Sequence, residues 1–311
     1  LIQPSNGEKD PPLLGVVVVN WNRPDDTAEC LASIQDLDYP RVLPILVDNG
    51  SSDGSPERLG RQFPHIVLLA NRENLGFAQG NNAGIQYAME AGCQYILLLN
   101  NDALIPRSAA NELIRVLEAD PSIGIAGPRI YLADDRDTVW FGGGKVDTSL
   151  GLPIHLEWMS RGVAQDRSLR EVDYICGCAL MTRSELLHDI GLFDPDYFLL
   201  FEDTDLCARA RAAGYRVVLT PWVSAYHKVS STFGGDTSPS YRYYFFRNNL
   251  IYVAKNIRSQ DQRKILIRVA QREWGYVRDA WQKQGPRALP LAWAAFRASL
   301  DYLLARRGKR L

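Results

Sequence analysis

Residues 96–106 read ILLLNNDALIP, and the fold turns on where the apolar run stops. A strand buried on both faces of a sheet reads as an unbroken aliphatic run. Three polar side chains in a row, Asn100, Asn101 and Asp102, have no place inside one, so they mark its carboxyl end. Similar runs stand at 13–20 (LLGVVVVN), 43–49 (LPILVDN), 65–71 (HIVLLAN) and 123–127 (IGIAG), the first three of them closing on Asn. Between the runs, amphipathic segments of helical spacing lie near 25–36, 55–62, 77–91 and 108–119. This alternation predicts an α/β fold of βαβ units, with a Rossmann-like, mostly parallel sheet flanked by helices. In open sheets of this kind ligands bind outside the carboxyl ends of the strands. Asn100 to Asp102 therefore lie on the expected functional rim.

The turn after the first run, VVVVNWNRPDD (16–26), holds no GxGxxG, and no Walker A sequence occurs, which disfavours nicotinamide-dinucleotide and P-loop chemistry. Past residue 130 the pattern loosens. FGGGKVDTSLGLP (141–153) suggests a turn-rich insertion, and VDYICGCALMTR (172–183) a returning strand. A helix is expected near 203–213 with Gly214 as its stop, then strands near 216–219 and 222–226, and helix from about 240 to the end. These changes divide the chain at 1–130, 131–239 and 240–311.

With 46% hydrophobic and 23% charged residues, the 311-residue chain is globular and long enough for a large core. A net charge of −1 gives no reason to bind nucleic acid. Charge is segregated, however: residues 261–311 hold 12 Lys/Arg against 4 Asp/Glu, so the tail carries +8 and the remainder −9. That basic excess is interleaved with Trp274, Trp281, Trp293, Phe296 and Leu303, a composition that suits contact with an anionic membrane as well as packing on the rest of the protein. Five cysteines, an odd number without a CxxC pair, point to a reducing cytoplasm. Residues 1–12 carry neither an apolar signal core nor a basic leader, which argues against export. The longest apolar stretch, ALPLAWAAFRASLDYLLA (288–305), is broken by Arg297 and Asp301, so no membrane span is expected.

Several stretches in order, VVVNWNRPDDTAECLASI (17–34), VDNGSSDGS (47–55), NLGFAQGNNAGI (74–85), LLLNNDA (97–103), GCALMTR (177–183), GLFDPDYFLLFEDTDLCARARAAGY (191–215) and AYHKVSSTFG (225–234), resemble the inverting, GT-A fold glycosyltransferases of family 2, and among them bacterial rhamnosyltransferases. The resemblance implies a nucleotide-sugar-binding half (1–130), an acceptor-binding and catalytic half (131–239) and a helical, basic extension (240–311). It assigns Asp48 to the nucleotide base, beside Asn20 and Asn22, and places Asn74 and Gly76 next to the donor. A D-x-D motif is usual where this chain has Asn100-Asn101-Asp102. Asp102 then inherits a divalent cation, Mn²⁺ or Mg²⁺, with His227 as its second ligand, while Asn100 keeps hydrogen bonding to a sugar or ribose hydroxyl and gives up one charge. Glu202-Asp203 matches the family's acid–base pair, with Asp203 the base and Glu202 an orienting group, and Gly177 and Asp194 frame the acceptor side.

Each of these residues also has a plain structural reading: an Asx turn at Asp48, a strand-end turn at Asn100 to Asp102, a packed histidine at His227 and an acidic first helical turn at Glu202 and Asp203. Asp205 and Arg209, spaced i, i+4, are expected to pair on a helix surface. The implied function is inverting transfer of a sugar, with dTDP-rhamnose the leading donor, to a lipid-linked or cell-surface glycan by a cytoplasmic protein on the inner face of the membrane. A non-catalytic nucleotide-sugar or glycan scaffold and a sugar nucleotidyltransferase remain open. The first is encouraged by Asn100 and opposed by Asp102, Asp203 and His227 together, and the second lacks a basic Gly-rich loop early in the chain.

Overall fold

A computed structural model describes residues 10–163, 167–229, 237–257 and 260–310. The chain opens with β1 (Leu14–Asn20), α1 (Pro24–Gln35), β2 (Val42–Asp48), α2 (Ser55–Gln62), β3 (Val67–Ala70), α3 (Gly76–Glu90) and β4 (Tyr95–Leu99). Pro24 starts α1 at the position where a missing N–H costs nothing, and Asp25 and Asp26 follow at the positive helix end. The four strands are parallel and lie in the order β3-β2-β1-β4. Because the chain steps one way from β1 to β3 and returns on the other side as β4, a crevice opens at the carboxyl ends of β1 and β4. Asn20 and Asn100 flank it.

The glycines of α3 let that helix sit on the sheet. A Cβ on Gly84 would lie 2.4 Å from Val17 Cγ1, and one on Gly80 3.0 Å from Val19 Cγ1. Gly76 has φ +82° and turns where an added Cβ would meet the Phe198 carbonyl at 2.2 Å, so side-chain bulk is excluded there twice over.

Beyond β4 come β5 (Ala103–Leu104), α4 (Ala109–Ala119), β6 (Ile123–Leu132), β7 (Val139–Phe141), β8 (Gly144–Asp147), β9 (Leu152–His155), β10 (Arg170–Glu171), β11 (Ala179–Arg183), α5 (Ser184–Ile190), α6 (Glu202–Ala212) and β12 (Arg216–His227). β12 runs parallel to β6, while β11 is antiparallel to both β4 and β6 and joins them into one sheet; β8 and β9 form a separate hairpin. The sheet is thus mixed, with its long core strands parallel.

β4 ends at Leu99 and Asn100 to Asp102 form a turn, as the break in the apolar run implied. Two expectations are corrected here. Of the stretch 172–183 only Ala179–Arg183 is a strand; Cys176 and Cys178 precede it, buried, and all five cysteines are free. The two strands expected near 216–226 are one, β12, whose register against β6 shifts between Thr220 and Ser224, so that Pro221 marks a bulge instead of a break.

Helices α7 (Pro239–Asn256), α8 (Gln262–Gln284) and α9 (Leu289–Leu303) close the chain. They pack on the 197–201 segment through Tyr243, Phe246, Val253, Val269 and Ala298. Arg247, fully buried on α7, donates to the carbonyls of Asp196 (3.2 Å) and Gly308 (2.7 Å), latching the end of the chain to the loop before α6. Asp205 and Arg209 do pair, at 2.8 Å, yet Asp205 is buried and also accepts from Asn256 Nδ2 of α7 at 2.8 Å, so the pair joins helices and is no surface contact.

Gly84→Ala should lower the thermal midpoint: overpacking against Val17 costs about 1–3 kcal/mol, outweighing the roughly 1 kcal/mol by which Ala exceeds Gly in a helix. Gly275→Ala in α8, where nothing lies within 4 Å of the added carbon, should raise it. Thermal unfolding of both variants checks the pair.

Candidate active site

Three groups of polar residues line the carboxyl edge of the sheet. At the ends of β1 and β2, Asn20 Nδ2 donates to Asp48 Oδ1 (2.8 Å) and to Ser51 Oγ (3.1 Å), while Asp48 Oδ2 accepts from Ser51 N (2.9 Å). Asn20 Oδ1 accepts from Thr27 Oγ1 at 2.8 Å. Asn20 is fully buried, so its side chain fixes Asp48 and α1 and does not face the crevice. Asn22, in the left-handed region at φ 54°, accepts from Ser52 N (2.8 Å) and ties the two loops together. Asn74 Oδ1 accepts from Gly76 N (2.8 Å) and from Asn49 Nδ2 (3.1 Å). Asn49, buried, also donates to Gly76 O (3.0 Å) and accepts from Asn71 Nδ2 and Leu75 N, both at 3.1 Å. It is the hub of the 71–76 loop, and no sequence motif singled it out.

The second group is the 100–102 turn. The amide of Asn101 points to α1 and donates to Thr27 Oγ1 (3.0 Å), whereas Asp102 points to β12, where its Oδ1 lies 3.0 Å from His227 Nε2. Backbone pairing causes this meeting: β5 runs antiparallel to β12 with Ala103 opposite His227, and Lys228 N donates to Asp102 O (2.9 Å). Both side chains are buried, and the Trp140 ring stands edge-on to the imidazole at 4.4 Å. The buried Nδ1 of His227 has no hydrogen-bond partner among the described residues. Among the described residues no group of three or more His, Cys, Asp or Glu is placed to hold a metal. A carboxylate and an imidazole do fit a divalent ion whose remaining ligands are phosphate oxygens and water. The loop after Lys228 (230–236) lies outside the described residues.

The third group surrounds the start of α6. A cavity of about 180 Å³ is lined by Glu202, Asp203 and Thr204, by Pro153 and His155 of β9, by Tyr174, and by Tyr241 and Phe245 of α7. Asp203 Oδ2 accepts from Gly177 N (2.9 Å) and Oδ1 from Thr204 N (2.6 Å). Gly177 is therefore an anchor for the carboxylate. Burial raises the Asp203 carboxyl and these N–H donors pull the other way. Glu202 is buried, its Oε2 has no partner, and burial followed by the neighbouring Asp203 pushes its carboxyl well up. Tyr174 Oη is likewise buried and unpartnered, and burial holds His155 down at about 4, hence neutral. Sequence pattern gave no signal for Tyr174, His155 or Trp140, which enter from the irregular stretch beyond residue 130. Asp194 does not line this cavity: it accepts from Asp196 N (2.9 Å) and pairs with Lys255 of α7.

Comparison with known proteins adds a family to this geometry. Residues 15–191 match the family model described as glycosyl transferase family 2. The N-acetylglucosaminyl-diphospho-decaprenol L-rhamnosyltransferase of Mycobacterium tuberculosis is 26% identical over 243 residues, covering 72% of this chain and 78% of that protein. The dTDP-rhamnosyl transferase RfbF of Shigella flexneri is 24% identical over 256 residues, covering 77% and 79%. Among solved structures, the mannosyltransferase PcManGT of Pyrobaculum calidifontis in complex with GDP-Man and Mn²⁺ superposes with a TM-score of 0.57 at 23% identity, over 94% of this chain and 79% of that one. TarS 1-349 of S. aureus in complex with UDP-GlcNAc gives 0.58 at 16% identity, over 94% and 81%. At these identities the structures establish the GT-A fold.

Glu202 predicts a pH signature. A carboxyl raised on folding binds its proton more tightly in the folded than in the unfolded chain, so its contribution to stability falls as pH rises above the usual Glu range near about 4.3. Glu202→Gln should therefore gain thermal stability relative to the parent as pH is raised from 4 upward. A difference that stays flat with pH would show that Glu202 ionises without cost.

Proposed function

Because the chain belongs to glycosyl transferase family 2, and is a glycosyltransferase by that membership, we propose that it moves a sugar with inversion from a nucleoside diphosphate to a hydroxyl of a lipid-linked or cell-surface glycan. One observation carries the acceptor side: Glu202 and Tyr174, whose buried Oε2 and Oη have no partner among the described residues, belong to the wall of the same small cavity as Asp203. Unpaired buried polar groups are costly and uncommon. Hydroxyls of an incoming sugar satisfy them.

Asp203 is the base in this reading. Its carboxylate, held by Gly177 and Thr204 and raised by burial, takes the proton of the acceptor hydroxyl as that oxygen attacks the anomeric carbon. The bond from that carbon to the diphosphate oxygen breaks on the opposite face, and the configuration inverts. Glu202 keeps its proton and donates a hydrogen bond to the acceptor: burial raises both carboxyls, but the Gly177 and Thr204 N–H donors pull Asp203 back while the neighbouring Asp203 pushes Glu202 further up, so the two serve different tasks. On the donor side Asp48 and Asn22 meet the nucleotide base, Asn74 and Gly76 border it, and Asn100, whose side chain makes no hydrogen bond to a described residue, reaches a sugar or ribose hydroxyl. Gly177 serves the acceptor side through its hold on Asp203, while Asp194, paired with Lys255 of α7, stays outside the cavity and braces the loop before α6. Asp102 and His227 would hold a divalent cation, which supplies counter-charge to the leaving diphosphate when bound. dTDP-rhamnose is the favoured donor, on the likeness to the two rhamnosyltransferases.

Asp203→Asn preserves volume and should lower transfer of labelled sugar by at least about 10²-fold, with nucleotide binding retained. Near-normal turnover in that folded variant would remove Asp203 as the base. Asp102→Ala should abolish any dependence of nucleotide binding on Mn²⁺ or Mg²⁺, measured by calorimetry with dTDP, UDP and GDP. Equal affinity of the parent protein in EDTA and in Mn²⁺ counts against the metal assignment.

A further inference from the structure

Helices α8 and α9 form a hairpin whose inner faces pack toward α7 through Ile265, Val269 and Val277 on one helix and Leu291, Ala294 and Ala298 on the other. At 3.6 residues per turn, Ile267, Trp274 and Trp281 recur every two turns as one stripe on α8, along the flank of its buried face next to Val277. All three are exposed. On α9 the spacing of Leu289, Trp293, Phe296 and Leu303 defines a second stripe, this one opposite the buried face, with Trp293 58% and Leu303 76% exposed. The Trp293 and Phe296 rings stack at 5.5 Å. α8 and α9 pack against each other, and each carries its own exposed stripe. Single exposed apolar residues are ordinary, but a contiguous aromatic and aliphatic patch marks a contact surface.

The charges on this surface choose its partner. Neither stripe contains an acidic residue. Arg263, Lys264 and Arg278 are interleaved with the α8 stripe, the last two beside Asp261 (2.6 Å) and Asp279 (3.5 Å), and exposed Arg287 stands at the turn between the helices. Even with every acidic residue counted, 261–311 keeps +8. An apolar centre with a basic rim complements acyl chains beneath anionic headgroups. No helix among the described residues is long and apolar enough to cross a membrane. The 15 residues of α9 extend about 22 Å against a hydrocarbon core of about 30 Å. They fit in the plane of the interface.

We propose that the outer face of the α8–α9 hairpin docks on an anionic lipid surface, with Trp274, Trp281, Trp293 and Phe296 inserted and the flanking bases on headgroup phosphates. The inference rests on the surface alone and stands apart from the transfer reading. It has a consequence for reach: Tyr241 and Phe245 of α7 line the acceptor cavity, and α7 lies directly beneath α8 and α9. The cavity therefore sits about 10–20 Å, one or two helix spacings, from the docked membrane.

Flotation of the full chain with phosphatidylcholine vesicles, with and without phosphatidylglycerol, tests this. The protein should float with the anionic vesicles, less so at high salt, and brominated lipid should quench its tryptophan fluorescence. Trp293→Ser combined with Phe296→Ser should weaken vesicle binding roughly tenfold or more while thermal unfolding and binding of nucleoside diphosphate stay as in the parent. The proposal is overturned if the parent does not float with anionic vesicles, if the variant floats equally well, or if the parent is a dimer by light scattering that the variant loses without any vesicle binding by either. A failed sugar transfer with intact flotation would instead sink the enzymatic reading and leave this one standing.

Discussion

Two residues of backbone pairing hold the two halves of the rim together. Ala103 and Leu104 lie antiparallel to His227 and Tyr226, and this short ladder is the reason that Asp102 meets His227, 125 positions later. A carboxylate and an imidazole brought into burial by side-chain attraction alone would have to repay the loss of hydration. Here the sheet pays the positioning cost, and Lys228 N adds a further backbone bond to Asp102 O. The pair is preorganised before any ligand arrives.

The same logic explains why so many polar residues at the strand ends face each other and not the solvent. Asn20, Asp48 and Asn49 are all essentially buried. Asn20 bonds Asp48 and both hold Ser51, while Asn49 bonds Asn71, Asn74, Leu75 and Gly76, so that the loops after β1, β2 and β3 are each pinned from within. Ligand contact then falls to the few groups this network leaves over. Asn100 is one, since its neighbours in the turn are committed to Thr27 and His227.

The parallel half of the fold was legible because burial on both faces writes itself as aliphatic runs, and the helices between them keep a 3.6-residue period. β1 to β4 and α1 to α4 fall close to their expected places. Reading failed where tertiary contacts, and not local pattern, set the boundaries. Pro221 looks like a strand breaker, yet the register shift in β12 absorbs it and buried Arg129 donates to its carbonyl at 3.3 Å. Asp205 and Arg209 show the spacing of a surface pair, but no local sequence signal announces that Asn256 will cover them. In the site, Asp102, Glu202 and Asp203 stood out from their motifs. Tyr174, His155 and Trp140 did not, since they come from a stretch with neither period, and only the cavity shows that they meet.

Helix α7 reconciles the tail with the site. A basic, aromatic-rich segment invites a choice between packing on the protein and lying on a membrane, and the structure shows the two to be compatible because a helix has two faces. The inner residues of α8 and α9 join Tyr243, Phe246 and Val253 in one core. α7 in turn offers Tyr241 and Phe245 to the cavity beside Asp203 and fixes the preceding loop through Arg247 and Lys255. Displacing α8 and α9 would expose that core and release the latch between Gly308 and Arg247. The wall of the cavity beside Asp203 would then lose its backing, so the helical extension supports the candidate site whether or not its outer face touches lipid.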